Sequence, residues 1–283
     1  MNTPILTILA LCAFAANSVL CRLALGQEAI DAASFTIVRM ISGVLILFLI
    51  VALQGKRTFK GTAGSWQSGF MLFLYALTFS FAYISLDTGT GALILFGSVQ
   101  ITMILVSIVS GNRLYPTEWL GVLIAFIGFV YLVLPGVSAP PMAGFLLMTS
   151  AGIAWGIYTL RGRESINPLM DTAYNFAYAI PLVIVLFLVT FDTAELTPKG
   201  VALSALSGGL ASGVGYTIWY AALRGLTSTQ AAVVQLSVPV IAAFGGIVIV
   251  SEPLTARLAI ATLFILGGIL VVILSRHPIQ SAN

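Results

Sequence analysis

The sequence predicts an all-α integral membrane protein with ten transmembrane helices, arranged as two inverted five-helix repeats. Three observations carry this expectation. Of 283 residues 59% are hydrophobic and only 7% are charged. A soluble domain carries about 25% charged residues, so a surface this poor in charge must face hydrocarbon. Apolar stretches long enough to cross a bilayer recur between short polar breaks. Laid over itself with a shift of about half its length, the chain repeats its own ending.

Ten stretches satisfy the length rule. They run Pro4 to Leu25, Ala33 to Leu53, Trp66 to Leu86, Thr90 to Ser110, Pro116 to Leu134, Met142 to Leu160, Leu169 to Thr190, Val201 to Leu223, Thr229 to Val250 and Ala256 to Leu274. The first has no basic amino-terminal region and no small-residue cleavage site, so it is expected to stay as a helix and not to be removed as a signal peptide. Cys12 and Cys21 stand nine residues apart, in neither a CxxC nor a metal-ligand spacing, and are expected to pack.

Loop charge gives orientation. With a cytoplasmic amino terminus, the inside loops collect Lys56, Arg57, Lys60, Arg113, Arg161, Arg163 and Arg224, and the tail adds Arg276. Arg22, Arg39, Lys199 and Arg257 fall on the other side. The positive-inside rule then puts both termini in the cytoplasm of a bacterial inner membrane. The net charge of +3 is explained by these helix-end cations. No basic run or basic helix points to nucleic acid.

The repeat is clearest from Thr90 to Leu134 against Gln230 to Leu274, two apolar helices around a short turn, NRLYP in one and SEPLT in the other. AANSVLCR from Ala15 aligns with AWGIYTLR from Ala154, and YISL from Tyr83 with YAAL from Tyr220. The halves divide within PGVSAPP, giving repeats 1–137 and 138–283 that form one transport domain. Five is odd, so the second copy must enter the membrane from the opposite face.

With these features the chain resembles the ten-helix EamA-type branch of the drug/metabolite transporter superfamily, over nearly its full length. The residues that carry the resemblance are SEPLT at Ser251 to Thr255 with its degenerate copy at Asn112 to Thr117, the small residues Gly121, Gly128, Gly267 and Gly268 of the fifth and tenth helices, and LSVP at Leu236 to Pro239. Asn112 stands where such turns carry Glu, as Glu252 does. The resemblance implies an exporter of amino acids, aromatic ones among them, or of other metabolites and toxic compounds.

A site is sought among polar and aromatic groups too deep to be boundary anchors, because such groups face protein or a cavity. Tyr75, Phe79 and Tyr83 recur every four residues on the third helix, and Tyr216 and Tyr220 form the matching stripe on the eighth, beside Trp219. Trp155, Tyr158 and Thr159 sit on the sixth helix and Asn17 at the same depth of the first. The fourth and ninth contribute Phe96, Ser98, Gln100 and Thr102, then Gln235 and Ser237. Helices one, three, four, six, eight and nine would surround a central substrate cavity.

Each residue has a plainer reading. Tyr83 and Tyr220 lie near helix ends, where an interfacial aromatic belt is the alternative. Tyr75, Phe79 and Phe96 could be ordinary packing. Asn17, Gln100 and Gln235 need partners in hydrocarbon, supplied by a cavity or by another helix. Ser98, Thr102 and Ser237 can bond back to their own helix. Pro239 kinks or hinges the ninth helix. Arg39, about six residues into the second helix, is expected to snorkel to the headgroups, with substrate binding as the alternative. Asp31, Asp87, Glu118 and Glu252 lie at helix ends, so no mid-membrane acid offers a proton relay. His277 lies in the tail, and a lone terminal histidine is not expected to be catalytic.

The expected activity is export of small organic solutes, most of all amino acids including aromatic ones, by alternating access about that cavity. The partners expected are that solute and the bilayer, with a monomer as the simplest unit and no cofactor or metal. An intramembrane enzyme is disfavoured because no HExxH, mid-membrane carboxylate pair or serine–histidine pairing is present. A channel is disfavoured by the absence of a filter-like loop or charged ring. The alternative cargo is a multidrug or toxic cation held by aromatic faces.

Overall fold

The computed structural model describes residues 2–53, 63–109, 111, 115–134, 136, 139–162, 165–226, 231 and 234–275. Lys56, Arg57, Lys60, Asn112, Arg113, Arg163, Arg276 and His277 lie outside the described residues. Among those described, the chain is helical in ten segments: α1 Thr3–Leu25, α2 Ala32–Leu53, α3 Trp66–Ala82, α4 Thr88–Val109, α5 Pro116–Val133, α6 Met142–Gly162, α7 Pro168–Thr190, α8 Pro198–Leu223, α9 Val238–Val250 and α10 Ala256–Ser275.

Helix starts follow local chemistry. Proline opens α1, α5, α7 and α8, where its missing N–H is no loss. Side-chain oxygens of Ser65, Asn167 and Thr197 accept the first free amides of α3, α7 and α8. Asp31 does the same for α2 through Ser34 N, 2.9 Å away, and Thr255 for α10 through Leu258 N at 3.1 Å.

Eight of the segments are long and apolar enough to cross a membrane. Two of the ten expected spans are shorter than the sequence indicated. The third ends at Ala82, past which the chain winds as a turn with the Ser85 and Leu86 amides returning to the Ala82 carbonyl. The ninth breaks at the Leu236–Ser237 turn, and Pro239 sits in the first turn of the segment that follows. A proline there cannot donate into a continuous helix ladder.

Two close approaches set the packing. At the α5–α10 contact a Cβ on Gly268 would lie 2.5 Å from Gly121 O and Ala125 N, and one on Gly121 would lie 2.6 Å from Gly268 O. Backbones meet there as at other small-residue membrane interfaces. On α8 a Cβ on Gly208 would collide with the Arg39 carbonyl of α2. Along that contact Ser207–Val214 winds as a π-helix, where the apolar run predicts ordinary α-helix.

The buried side of the bundle is formed where α1, α3, α4, α6, α8 and α9 pack, with α2 and α7 closing the flank and α5–α10 lying outside against α4. Large apolar side chains such as Phe126, Phe187, Leu188 and Leu263 are exposed, as a hydrocarbon-facing surface requires. Cys21 packs inside, but Cys12 does not: it lies on the exposed face of α1.

Candidate functional site

The i, i+4 stripes of α3 and α8 and the aromatic pair of α6 converge. Their rings form an unbroken column with centroid separations of 4.8 Å for Tyr83–Phe79, 5.3 Å for Phe79–Tyr75, 5.0 Å for Tyr75–Trp155, 5.4 Å for Trp155–Tyr158 and 5.8 Å for Tyr158–Tyr220. Tyr216 leans on Trp155 at 4.5 Å, and Phe14 of α1 joins Trp155 to Phe96. Offset and edge-on contacts in this distance range are the favourable ones for aromatic rings. Tyr83 and Tyr220 are both buried, so neither is a belt residue at the lipid interface.

A polar seam runs beside the rings. Asn17 Nδ2 donates to Tyr75 OH at 3.1 Å, while its Oδ1 accepts from Ser207 Oγ at 2.5 Å. Tyr216 OH donates to Tyr75 OH at 3.3 Å. Both ends of the Asn17 amide are satisfied, which answers the cost of placing it in the bundle.

Arg39 does not snorkel. Its side chain is 1% exposed and points from α2 into the column. Nε donates to Ser212 Oγ at 3.1 Å, and Nη2 donates to Tyr216 OH at 2.9 Å and Tyr75 OH at 3.2 Å. Its guanidinium carbon lies 5.0 Å from the centroids of both Tyr75 and Phe79, within cation–π range. Inward hydroxyls and ring faces thus hold the head more closely than headgroups could. They do not neutralise it. The two ion pairs among the described residues both belong to Arg22, and burying an unpaired ion costs several kcal/mol. Nη1 of Arg39 and Nε1 of Trp155 are buried without an acceptor.

The remaining candidates lie at the margin. Phe96 reaches the rings through Phe14, and Gln100 is buried one turn along α4. Thr102 bonds back to Ser98 O at 2.7 Å and Ser237 to Val234 O at 2.7 Å. Gln235 donates to Ala231 O at 3.1 Å. Gln235 and Ser237 therefore bond within their own segment.

One end of the column opens into a vestibule of about 300 Å³, lined by Ser65, Ser68, Arg161, Asp171, Asn175 and Tyr220 among others. Tyr220 and Asn175 link this lining to Tyr158 of the column: Asn175 Nδ2 donates to Tyr158 OH and Tyr220 OH to Tyr158 O, each at 3.4 Å. Arg161 Nε donates to Ser68 Oγ at 3.3 Å, and Asp171 and Asn175 accept from the amides of Gly64 and Ser65 at 3.0 and 2.9 Å.

The other end is closed. Arg22 Nε meets Glu252 Oε1 at 3.0 Å and its Nη2 meets Asp87 Oδ1 at 3.4 Å. Arg22 Nη1 also donates to the Tyr83 carbonyl at 3.1 Å, and Glu252 Oε2 accepts from Thr88 N at 2.8 Å. Beside this latch the α1–α2 and α7–α8 loops clasp, with Glu195 N donating to Asp31 Oδ2 at 2.9 Å and Ile30 bridging Leu196. Partial burial raises the Asp31 carboxyl, but hydrogen bonds from the Ser34 hydroxyl and amide and from the Glu195 and Ala33 amides outweigh it, so Asp31 sits below its ordinary value.

Sequence reasoning favoured the headgroups for Arg39, and it missed Phe14, Ser207, Ser212 and the vestibule pair Asp171 and Asn175. The last two share a face of α7 at i, i+4 spacing, a signal that was there to be read. Ser207 and Ser212 stand five apart, which aligns only in a π-helix.

The family model for the EamA-like transporter family matches residues 142–274, from the start of α6 through SEPLT and into the last turn of α10. An uncharacterized protein of Pseudomonas aeruginosa is 49% identical over 275 residues, 97% of this chain and 96% of its own. The chain belongs to the EamA-like transporter family. Two uncharacterized transporters of Archaeoglobus fulgidus are similar as well. One is 28% identical across 72% of this chain and 73% of its own, the other 25% identical across 81% and 84%. A solved crystal structure shares the fold with a TM-score of 0.67 at 17% identity, covering 98% of this chain and all of the other. As an EamA-like transporter the chain is an integral membrane protein of a transporter family, not of an enzyme family, and its work is to bind and move a small molecule across the bilayer.

Proposed function

We propose that this EamA-like transporter exports small organic metabolites, amino acids including aromatic ones, by alternating access between inverted repeats 1–137 and 138–283. The observation that carries the reading is the aromatic column with its polar seam, which leads from an open vestibule to a latched opposite end. A site of this kind suits amphipathic solutes of amino-acid size, since apolar faces supply affinity and a few fixed polar groups supply orientation.

Packing supports the repeats. The contacts of α3 with α6 and α7 are matched by those of α8 with α1 and α2, and those of α4 with α6 by those of α9 with α1. Asp31 at the start of α2 and Asp171 at the start of α7 each accept an amide from the loop that packs against them. Alternating access then exchanges latch and vestibule. Placing the vestibule on the cytoplasmic face of a bacterial inner membrane, with both termini there, follows the positive-inside count of the sequence.

The Arg39 charge argues against a toxic cation as cargo, because a cation would enter beside a buried guanidinium with no acid between them. The test is counterflow. Purified protein in liposomes preloaded with unlabelled phenylalanine should accumulate labelled phenylalanine transiently and saturably. Uptake that rises linearly with concentration, or shows no acceleration by internal substrate, overturns the carrier reading.

A further inference from the structure

Arg39 is a permanent cation held at the centre of a membrane bundle with no carboxylate beside it among the described residues. Its protein partners are hydroxyls only: Ser212 on Nε, and Tyr75 and Tyr216 on Nη2. Hydroxyl oxygens orient a guanidinium but leave its charge uncompensated. Nη1 is buried without an acceptor, and Trp155 Nε1 in the adjoining ring is a second buried donor without one. Both flank the Tyr75 ring, 5.0 Å from the guanidinium carbon and 5.0 Å from the indole. What this arrangement lacks is one compact anion with two oxygens, since a carboxylate matches the guanidinium fork by paired N–H···O bonds.

We propose that Arg39 is the anion anchor of the transport site and that the recognised group is the carboxylate of a compact aromatic monocarboxylate. The proposal rests on the central column being the transport site, as argued above. The carboxylate takes the place of the Tyr75 and Tyr216 hydroxyls as acceptor on Nη2 and closes on Nη1. The substrate's ring lies among Trp155, Tyr75 and Phe79. The same geometry says what is not recognised. The described acids lie in the loops, the first turns of helices or the latch, so no described carboxylate at the column forms an ion pair with an α-ammonium group. Aromatic acids that lack the amino group should bind as well as the amino acids do.

Four probes separate these requirements: L-phenylalanine, L-phenylalaninamide, 3-phenylpropionate and 3-phenylpropionamide, titrated against the purified full chain with tryptophan fluorescence and thermal stabilisation as readouts. The two acids should half-saturate within about threefold of each other, and each amide should be at least about tenfold weaker than its acid. Amides that bind as tightly as their acids overturn the anchor while leaving the aromatic site standing. Binding of phenylalanine without phenylpropionate overturns the claim that the amino group is dispensable. Silence from all four overturns the aromatic cargo itself, and the anchor with it. Arg39→Gln, which removes the charge, should erase the acid-over-amide preference, whereas Arg39→Lys, which keeps the charge but loses the fork, should reduce it without abolishing it. Should neither variant fold, the four-probe comparison on the unaltered protein still decides.

Discussion

Arg22 of α1 and Glu252 of the α9–α10 loop, 230 positions apart in the chain, meet at 3.0 Å and close the bundle at the end away from the vestibule. The pair ties the α1 terminus to the turns that begin α4 and α10, so opening that end must break it. Glu252→Gln removes the charge and keeps the shape. A loss of about 1–2 kcal/mol in preference for the closed end corresponds to a five- to thirtyfold shift in population. A cysteine at Ser80, in a background with Cys12 and Cys21 replaced by alanine, should react correspondingly faster with a small thiol reagent. An unchanged rate would mean the latch is not what holds this end shut.

The Asp31 clasp gives a pH dependence with a definite sign. Its carboxyl is held below the ordinary value in the folded protein, so its stabilisation is present above the unfolded pKa of about 3.9 and is lost as pH falls through the lower native value. The Tm of Asp31→Asn should therefore lie below that of the parent at neutral pH, and the gap should close in strong acid. A gap that persists there assigns the loss to geometry and not to charge.

Trp155 touches Phe14, Tyr75, Tyr158 and Tyr216 at once. Trp155→Ala should raise the half-saturating concentration for aromatic substrates several-fold or more, since ring contacts are worth about 0.5–1.5 kcal/mol each beyond area burial. Aliphatic substrates should lose less. Phe126→Ala, on the exposed face of α5, is the control and should leave both KM values in place. Folded Trp155→Ala protein with unchanged kinetics for both classes would remove the column from the transport path.

Coupling follows from where the acids are. Asp87, Glu118, Asp171 and Glu252 sit at helix ends or in loops, and no described acid lies along the column. Flux in liposomes should persist with no proton or sodium gradient and should follow the substrate gradient. Loss of flux when the proton gradient is collapsed, with the substrate gradient held fixed, would contradict this.

Gly268→Val places a branched side chain where even a Cβ would sit 2.5 Å from Gly121 O and Ala125 N. Overpacking of this kind costs about 1–3 kcal/mol, so the variant should show reduced yield and Tm. Protein that does fold should transport with unaltered selectivity, because α5 and α10 pack outside the column.

Much of this architecture was legible because it is local. Pro116 marks a helix start, and the i, i+4 spacing of Tyr75, Phe79 and Tyr83 put three rings on one face, where the structure has them. Arg39 was misread because its depth alone does not distinguish an outward side chain from an inward one. The hydroxyls that draw it inward, Ser212 and Tyr216, lie 173 and 177 positions away. The π-helical turn of α8 coincides with a tertiary contact, the approach of Gly208 to the α2 backbone. The break before Pro239 competes with an apolar run that reads as continuous.

The two ends of the bundle are not equal in chemistry, and this bears on how such a carrier would behave in use. Arg22 is braced by Asp87 and Glu252, whereas Arg161, which aligns with it in the repeat, meets the Ser68 hydroxyl among the described residues. The position that aligns with Glu252 is Asn112. Under the alternating access proposed above, an ion pair across one end, with none across the other among the described residues, biases the empty carrier toward opening at the vestibule. Net movement still runs down the solute's own gradient, since a resting bias does no work over a complete cycle. What the bias does change is sensitivity: solute would be captured at lower concentration from the vestibule face than from the latched face, so that the protein responds early to accumulation on one side and is slow to let the same solute back.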